Sequence, residues 1–231
     1  MAAQDLSERF DVLDERGEPA GFSRPRGEVH RDGDWHASVH VWILLRWQGR
    51  VGVVLQRRSM DKDTNPGVVD VSVGGHVRAG EGVFDALREC EEELGLAVTP
   101  EDVIPMGRLR SELRTDSVWD RELLSVFAAW VDAPPPALTP QAEELDEALV
   151  VAPDDALALW SGRAAEVDAL SVPALGDARV NGVRGAPTRL RAGELLRPGC
   201  PYRVRALEAL CALARGATPS PELFSLDGGV G

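Results

Sequence analysis

The chain has 231 residues and a formal net charge of −13, which is enough length for one large domain, alone or with an appendage. The negative charge disfavours a nucleic-acid polymer as partner, because proteins that bind such polymers present basic surfaces. The sequence shows no apolar run that could cross a membrane, no secretory leader pattern and no CxxC pair, so we expect a cytoplasmic protein without a membrane partner or a disulfide framework.

The first half of the chain predicts mostly β-strands, because its apolar residues alternate with polar ones or form short apolar runs. Strands are predicted at residues 9–13, 37–47, 51–56 and 68–73. Residues 23–36 are polar and contain glycine, which predicts a loop or a single helical turn. Residues 57–67 are predicted to be a charged loop. The strand at 68–73 is predicted to lead into a glycine-rich loop that begins at Gly74-Gly75.

The second half predicts a helix, two strands and then a change of composition. A helix is predicted at 82–94, and strands at 103–113 and 119–131. After an extended proline-rich segment at 133–137, an edge strand is predicted at 148–151, with helices at 153–160 and 201–215. Residues 171–200 show no clear period. We therefore expect an α/β fold, with a mixed sheet and helices on both faces. We expect one domain at 1–152, with a C-terminal helical extension at 153–231 packed on it.

The stretch at 74–96, GGHVRAGEGVFDALRECEEELGL, predicts an amphipathic helix with an acidic face. At about 100° per residue, one narrow stripe is apolar; it comprises Val83, Leu87, Cys90 and Leu94. The roughly opposite side is acidic; it comprises Asp85, Glu89, Glu92 and Glu93. Gly95 follows where a helix needs a residue that tolerates a positive φ in order to end.

Three of these acids lie within one helical turn, because Glu89, Glu92 and Glu93 are spaced i, i+3, i+4. Like charges at this spacing destabilise a helix by roughly 0.2–0.5 kcal/mol per pair, and Arg88 offsets only part of that repulsion. A hard divalent cation such as Mg²⁺ would remove it, since Mg²⁺ prefers carboxylate oxygens and commonly bridges to phosphates. The alternative is a charged helix face that only meets water.

The same stretch resembles the Nudix signature. Gly75 and Glu81 match its opening, and its close is matched by Arg88-Glu89, Cys90, Glu92-Glu93, Gly95 and Leu96. One departure is present, because six residues separate Glu81 from Arg88 where the family has seven. This shortening predicts either a helix that starts one residue early or a tightened entry loop.

The wider resemblance, over residues 9–130 and including LQRRS and SVGGHV, is to the Nudix branch most similar to isopentenyl-diphosphate isomerase. That isomerase uses a cysteine directly before a Gly-His pair, whereas this chain has Gly74 before Gly75-His76. Glycine offers no acid or base group, which disfavours isomerisation. The branch also implies a metal site, here matched by His30, His36, His76, Asp120 and Glu122. The alternative for these histidines is hydrogen bonding to loops or shaping of the substrate entrance.

The resemblance implies a Nudix-type α/β/α sandwich and Mg²⁺- or Mn²⁺-dependent hydrolysis of a diphosphate linkage in a small nucleotide, in a chain that could form a homodimer. It implies metal ligands at Glu89, Glu92 and Glu93. The implied catalytic residues are Glu92, Glu93, Glu122 and Arg88, and the implied substrate-binding residues are Arg57, Arg58, Gly74, Gly75 and His76. The general base stays open among Glu92, Glu93, Glu122 and the Glu143-Glu144 pair. The alternative activity is a non-catalytic Nudix-fold nucleotide-binding module.

Overall fold

The structure, a computed structural model, describes residues 8–62, 65–116, 118–174 and 184–226. Its strands are β1 (Arg9–Leu13), β2 (Pro19–Pro25), β3 (Trp35–Trp47), β4 (Arg50–Arg58), β5 (Val69–Asp70), β6 (Val73–His76), β7 (Val103–Arg114), β8 (Trp119–Val131), β9 (Leu145–Val151), β10 (Glu166–Pro173) and β11 (Ala186–Arg191). Its α-helices are α1 (Arg26–Asp32), α2 (Arg88–Leu94), α3 (Pro153–Trp160) and α4 (Pro201–Ala214). Within these ranges no helix is long and apolar enough to cross a membrane.

The sheet is organised around β3. This strand runs parallel to β8 and antiparallel to β1, β4 and β6, so the sheet is mixed, as predicted. The main path of neighbouring strands is β11-β10-β9-β4-β3-β1-β2. The centre of β3 is almost continuously apolar, which is typical of a strand covered on both faces.

Helices cover both faces of the sheet, so the predicted fold class is confirmed. On one face Val41 and Ile43 share an apolar cluster with Leu94 of α2. On the other face Trp42 and Leu44 share a cluster with residues of α3 and α4. Alternate residues of β3 therefore contribute to two separate cores, as the period-2 geometry of a strand requires.

Two sequence predictions in the C-terminal half are wrong, and strands occur in a segment for which no element was predicted. Residues 148–151 are not at an edge, because β9 lies between β4 and β10. The 171–200 segment contains the end of β10 and all of β11, although its residues 175–183 lie outside the described part of the chain. The proline-rich stretch includes a 3₁₀ turn at Pro135–Ala137 instead of being extended throughout. The C-terminal extension is therefore not only helical, since two of its strands lengthen the sheet; the division at residue 152 stays a prediction.

The glycines at 74–75 do not form a loop, because they belong to β6 and pair with β3. The strand predicted at 68–73 is divided into β5 and β6 around Ser72. The hydroxyl of Ser72 accepts a hydrogen bond from the Ile43 amide at 2.8 Å and donates one to the Val54 carbonyl at 2.5 Å. Ser72 therefore links β3 to β4 where the two strands separate, and this opening admits β6.

A core substitution tests whether the C-terminal elements fold with the rest of the chain. Leu207 of α4 is fully buried, so Leu207→Ala should lower the free energy of unfolding by about 2–5 kcal/mol. Urea unfolding should show one cooperative transition at lower urea than in the parent protein. The exposed neighbour Glu208 provides the control, since Glu208→Ala should change little. Two transitions, with only one shifted, would contradict the prediction of a single packed unit.

Candidate active site

The segment between Glu81 and Arg88, which is one residue shorter than in the family signature, contains a 3₁₀ turn at Asp85–Leu87 directly before α2. A 3₁₀ turn rises about 2.0 Å per residue against about 1.5 Å in an α-helix, so it covers the same distance with fewer residues. The Asp85 side chain accepts a hydrogen bond from the Gly82 amide at 2.8 Å, which links the turn to the loop before it. The structure thus matches the second expected alternative, a tightened entry into the helix.

Arg88 holds the acidic residues around the start of α2. Its guanidinium donates to Glu81 at 2.8 Å and to Glu89 at 2.9 Å, and it reaches the His76 carbonyl at 3.4 Å. Glu92 lies 3.6 Å away. The contact between Glu81 and Arg88 forms although the spacing is shortened. Arg88 therefore ties α2 both to its entry turn and to the end of β6.

The signature carboxylates differ in exposure. Glu92 is 47% exposed, but the Glu89 side chain is only 16% exposed, and Glu93 is 5% exposed. Burial raises the pKa of Glu89 to about 7 and that of Glu93 well above its usual range, with the Glu89 carboxylate adding to the second shift. The Glu93 Oε2 atom is buried without a hydrogen-bond partner among the described residues. A helix face that only meets water is therefore excluded for Glu89 and Glu93.

The two glycines of β6 serve opposite sides of the strand. A Cβ on Gly75 would overlap the Glu89 side chain, whereas a Cβ on Gly74 would lie against the His40 ring, 3.3 Å from Nε2. Gly75 thus allows Glu89 to pack directly on the strand. Gly74 leaves the ring of His40 uncovered, on the side away from Glu89.

A second polar cluster consists of His30, His36, His76 and Asp120, whose ligand atoms all lie within 4.8 Å of one another. Asp120 Oδ1 is 3.7 Å from His30 Nε2 and 3.5 Å from His36 Nε2. The Nε2 atoms of all three histidines are buried without hydrogen-bond partners in the described ranges. Nearby, Glu122 Oε1 lies 3.6 Å from His76 Nε2.

Two of the three histidines, His36 and His76, are held in different tautomers by the partners of their Nδ1 atoms. Nδ1 of His36 lies 3.1 Å from the Asp34 carbonyl and must donate to it, which leaves the Nε2 lone pair free for a metal. Nδ1 of His76 lies 3.1 Å from the Arg26 guanidinium and must accept from it, which places the proton of neutral His76 on Nε2. Burial lowers the pKa of all three, that of His30 to about 3. A metal ligated by His76 would therefore need Arg26 to release Nδ1.

One cavity of about 1200 Å³ joins the two clusters. Residues of both the sequence-predicted sites line it; they are Arg58, Gly74, Gly75, His30, His76, Glu89, Glu92, Glu93, Asp120, Glu122 and Glu144. Arg57 does not line this cavity, because its guanidinium binds Glu147 and Glu194. The expectation that both arginines bind substrate is therefore not met for Arg57, since adjacent residues of a strand point to opposite sides.

Sequence reasoning missed several lining residues. Arg26 and Lys62 add positive charge, and Asp70, Tyr202 and Arg203 form a further polar wall. Lys62 pairs with Glu144. Arg26 and Lys62 lie in polar segments predicted as loops, where only their charge could have indicated them. The polar wall depends on contacts between β5 and α4, which no local pattern reveals.

A model of the NUDIX domain matches residues 34–171, which is more than half of the chain. The chain belongs to the Nudix family. The match includes α2, the glycines of β6, and His36, His76, Asp120 and Glu122, but not His30.

Among its Nudix relatives, the chain is 52% identical over 96 residues to Nudix hydrolase 3 of Arabidopsis thaliana, covering 41% of this chain and 12% of that protein. It is 38% identical over 159 residues to an uncharacterized Nudix hydrolase of Pseudomonas aeruginosa, covering 68% of this chain and 85% of the relative. Isopentenyl-diphosphate Delta-isomerase of Escherichia coli is 30% identical over 125 residues, covering 53% of this chain and 66% of the relative.

The Nudix carboxylates fit a divalent cation. Glu89 and Glu93 are buried, and their pKa values are raised because burial disfavours the charged forms. Carboxylate oxygens are the ligands that Mg²⁺ and Mn²⁺ prefer. The histidine and Asp120 set, with its unpartnered nitrogens, suits a transition metal such as Mn²⁺ or Zn²⁺.

The raised pKa values predict a pH-dependent stability. Glu89 binds its proton more tightly in the folded state, so its stabilising contribution is complete below pH 4.5 and is lost as the pH rises through about 7. Thermal melting of chelator-treated protein should therefore show a falling Tm over this range. Mg²⁺ should restore the Tm above pH 7, because the cation replaces the protons.

Two variants that each replace a glutamate of α2 by uncharged glutamine provide the comparison of Tm values. Glu93→Gln should weaken both the pH dependence and the response of the Tm to Mg²⁺. Glu91→Gln, on the exposed side of the same helix, should keep both. Equal responses to Mg²⁺ in the two variants would show that the buried carboxylates do not bind the cation.

Proposed function

We propose that this Nudix protein hydrolyses a diphosphate linkage in a nucleoside diphosphate derivative or a related small nucleotide, using Mg²⁺ or Mn²⁺. The observation that carries the proposal is the burial of Glu89 and Glu93 in a cavity that also contains Arg26, Arg58 and Lys62. Burial raises the pKa of both carboxyl groups, although Arg88 forms an ion pair with Glu89. Carboxylates can hold a cation there, while guanidinium and ammonium groups bind phosphate oxygens.

Within this proposal, Glu89, Glu92 and Glu93 hold the cation. When bound, the cation supplies positive charge to the phosphate oxygens and lowers the pKa of a water molecule. Arg88 keeps Glu89 in place through its 2.9 Å hydrogen bond. Arg58 and His76 line the cavity and contact the substrate, and the glycines of β6 allow close approach. Arg57 is left out of the substrate-binding set, because it is engaged by Glu147 and Glu194.

The general base is assigned to a buried glutamate whose pKa is high enough to accept a proton near neutral pH. Burial raises the pKa of Glu122 to about 8, with Asp120 contributing. Burial also raises the pKa of Glu93 well above its usual range. Glu144 lines the cavity but pairs with Lys62. We favour Glu122, because Glu92 and Glu93 are assigned to the cation in this proposal and Glu144 pairs with Lys62.

An isomerase activity is the main alternative, because an isopentenyl-diphosphate isomerase is among the relatives. Gly74 occupies the position that the resemblance assigns to the catalytic cysteine, and it has no group to move a proton at carbon. Cys90 cannot replace it, since its thiol is fully buried in the core beneath α2. Hydrolysis requires neither cysteine.

We further propose that the histidine cluster holds a second cation. Replacement of His30 and His76 by alanine should lower the number of Mn²⁺ ions bound per chain by one, as measured by elemental analysis after dialysis. Glu93→Gln in the same assay should affect the other site. An unchanged Mn²⁺ stoichiometry in the double variant would exclude the second site.

The hydrolysis itself is tested with Glu93. Phosphate release with Mg²⁺ is measured over a panel of nucleoside di- and triphosphates and nucleoside diphosphate sugars, with a phosphatase added to reveal phosphomonoester products. Glu93→Gln should lower turnover by at least about 100-fold, which corresponds to roughly 3 kcal/mol of transition-state stabilisation. Glu92→Gln should also lose most of its turnover.

Glu91→Gln is the matched control and should retain turnover. Near-normal turnover in both Glu92→Gln and Glu93→Gln would refute the assignment of the carboxylates. Nucleotide binding without product release by the unmodified protein would favour the non-catalytic binding module.

A further inference from the structure

The cavity continues behind Gly74 into a compartment that the proposed hydrolysis does not use. We call it the rear compartment; its lining residues are His40, Gln56, Asp70, Cys200, Tyr202 and Arg203. The residues come from β3, β4, β5 and the start of α4. The His40 ring lies on the side of β6 that faces away from Glu89, since a Cβ on Gly74 would meet His40 whereas a Cβ on Gly75 would meet Glu89.

His40 presents a hydrogen-bond donor to this compartment. Its Nδ1 lies 2.8 Å from the Tyr202 hydroxyl, which also accepts the indole N–H of Trp42 at 3.1 Å. Since the indole can only donate, the Tyr202 proton is available to His40 Nδ1. A neutral imidazole that accepts at Nδ1 carries its own proton on Nε2. Burial lowers the pKa of His40 to about 4, so the ring is neutral at physiological pH.

Gly74 leaves that donor accessible. The nearest atoms to a Cβ placed at this position would be Cδ2 and Nε2 of His40, at 3.2 and 3.3 Å. A longer side chain would therefore cover the nitrogen. His40 is only partly buried and its ring borders the cavity, so its Nε2–H can reach a bound molecule.

Asp70 presents an acceptor beside it. The hydrogen bonds that Asp70 receives from described residues converge on Oδ1, from Arg203 Nε at 2.9 Å, Arg203 Nη2 at 2.6 Å and the Val71 amide at 2.8 Å. This arrangement leaves Oδ2 for the cavity. Two consecutive residues of α4 thus fix the pair, because Tyr202 orients His40 and Arg203 orients Asp70.

We propose that His40 and Asp70 form a recognition subsite for an uncharged polar group of the substrate. His40 Nε2–H donates to an acceptor atom, and Asp70 Oδ2 accepts from a hydroxyl or N–H on the same group. Because Arg203 neutralises Asp70, the pair favours a neutral group over a second phosphate. The matching chemistry is a donor next to an acceptor, as in the hydroxyls of a sugar or the amide edge of a nucleobase. This inference rests on the proposed nucleotide substrate.

Calorimetric titration with nucleotides that cannot be hydrolysed tests the subsite by binding alone. The probes are the α,β-methylene analogues of ADP and GDP and the 2′,3′-dideoxy form of the better binder, each with Mg²⁺. His40→Leu should weaken the better binder by about 3- to 10-fold, as expected for one lost hydrogen bond. His40→Gln should recover part of that loss, because its amide N–H extends to a similar position.

The binding preference that is lost in His40→Leu identifies the part of the nucleotide that the subsite recognises. If His40→Leu no longer distinguishes the ribose from the dideoxy probe, the sugar hydroxyls are read; if it no longer distinguishes adenine from guanine, the base edge is read. Both preferences unchanged in His40→Leu would overturn the subsite. Continued hydrolysis by that variant with an unaltered substrate profile would overturn it too, while leaving the proposed function intact. Binding of the probes without product release in the nucleotide panel would refute only the hydrolysis. An unmodified protein that hydrolyses a nucleotide of the panel but binds none of the probes would overturn only the subsite.

Tyr202 acts as a positioning residue, and its role is read from the tautomer of His40. Nitrogen NMR of the folded protein should show His40 protonated at Nε2, and Tyr202→Phe should shift the population towards the Nδ1–H form. Thermal melting of this variant distinguishes that effect from unfolding. A dominant Nδ1–H tautomer in the unmodified protein would contradict the proposed donor.

Discussion

The site depends on the burial of negative charge between α2 and β6. Glu89 and Glu93 lie where solvation is poor, and the nearby Arg88 is shared with Glu81 and Glu92. Burial disfavours the charged form of such groups because a carboxylate loses favourable hydration when it leaves water, and a bound cation would offset that cost. Helix α2, the 3₁₀ turn before it and the glycines of β6 hold the two carboxylates in this buried position.

The sheet determines how the two halves of the cavity meet. Ser72 holds β3 and β4 where they separate, and the short strand β6 fills the opening. Since adjacent residues of a strand face opposite sides, Gly75 adjoins Glu89 while Gly74 adjoins His40. The same four-residue strand therefore borders both the carboxylates and the compartment formed with α4.

Local pattern was sufficient for much of the fold. The strands β7 and β8 and the helices α3 and α4 match their predicted ranges closely, because their apolar residues follow the period of the element. The strands β10 and β11 were missed, since their stability comes from pairing with β9 and each other instead of from a regular pattern. The glycines of β6 were predicted as loop for the same reason, as their strand conformation is imposed by β3.

In the candidate site, too, local sequence pattern predicted some residues and missed those that depend on distant contacts. Spacing alone indicated Glu89, Glu92 and Glu93, and the family resemblance indicated the histidines. The burial of Glu93 was not predicted, because helical projection placed it opposite the apolar stripe. His40 belongs to none of these motifs, because it lies in the middle of β3. Its partner Tyr202 lies 162 positions away in the chain, and contacts of that range leave no trace in local sequence.

The location of a bound cation tests the central claim most directly. Crystals grown with Mn²⁺ would show it by anomalous scattering. We expect a peak coordinated by carboxylate oxygens of Glu89, Glu92 and Glu93, and the loss of that peak in Glu93→Gln crystals. A peak confined to the histidine cluster, with the α2 carboxylates contacting no metal, would contradict it.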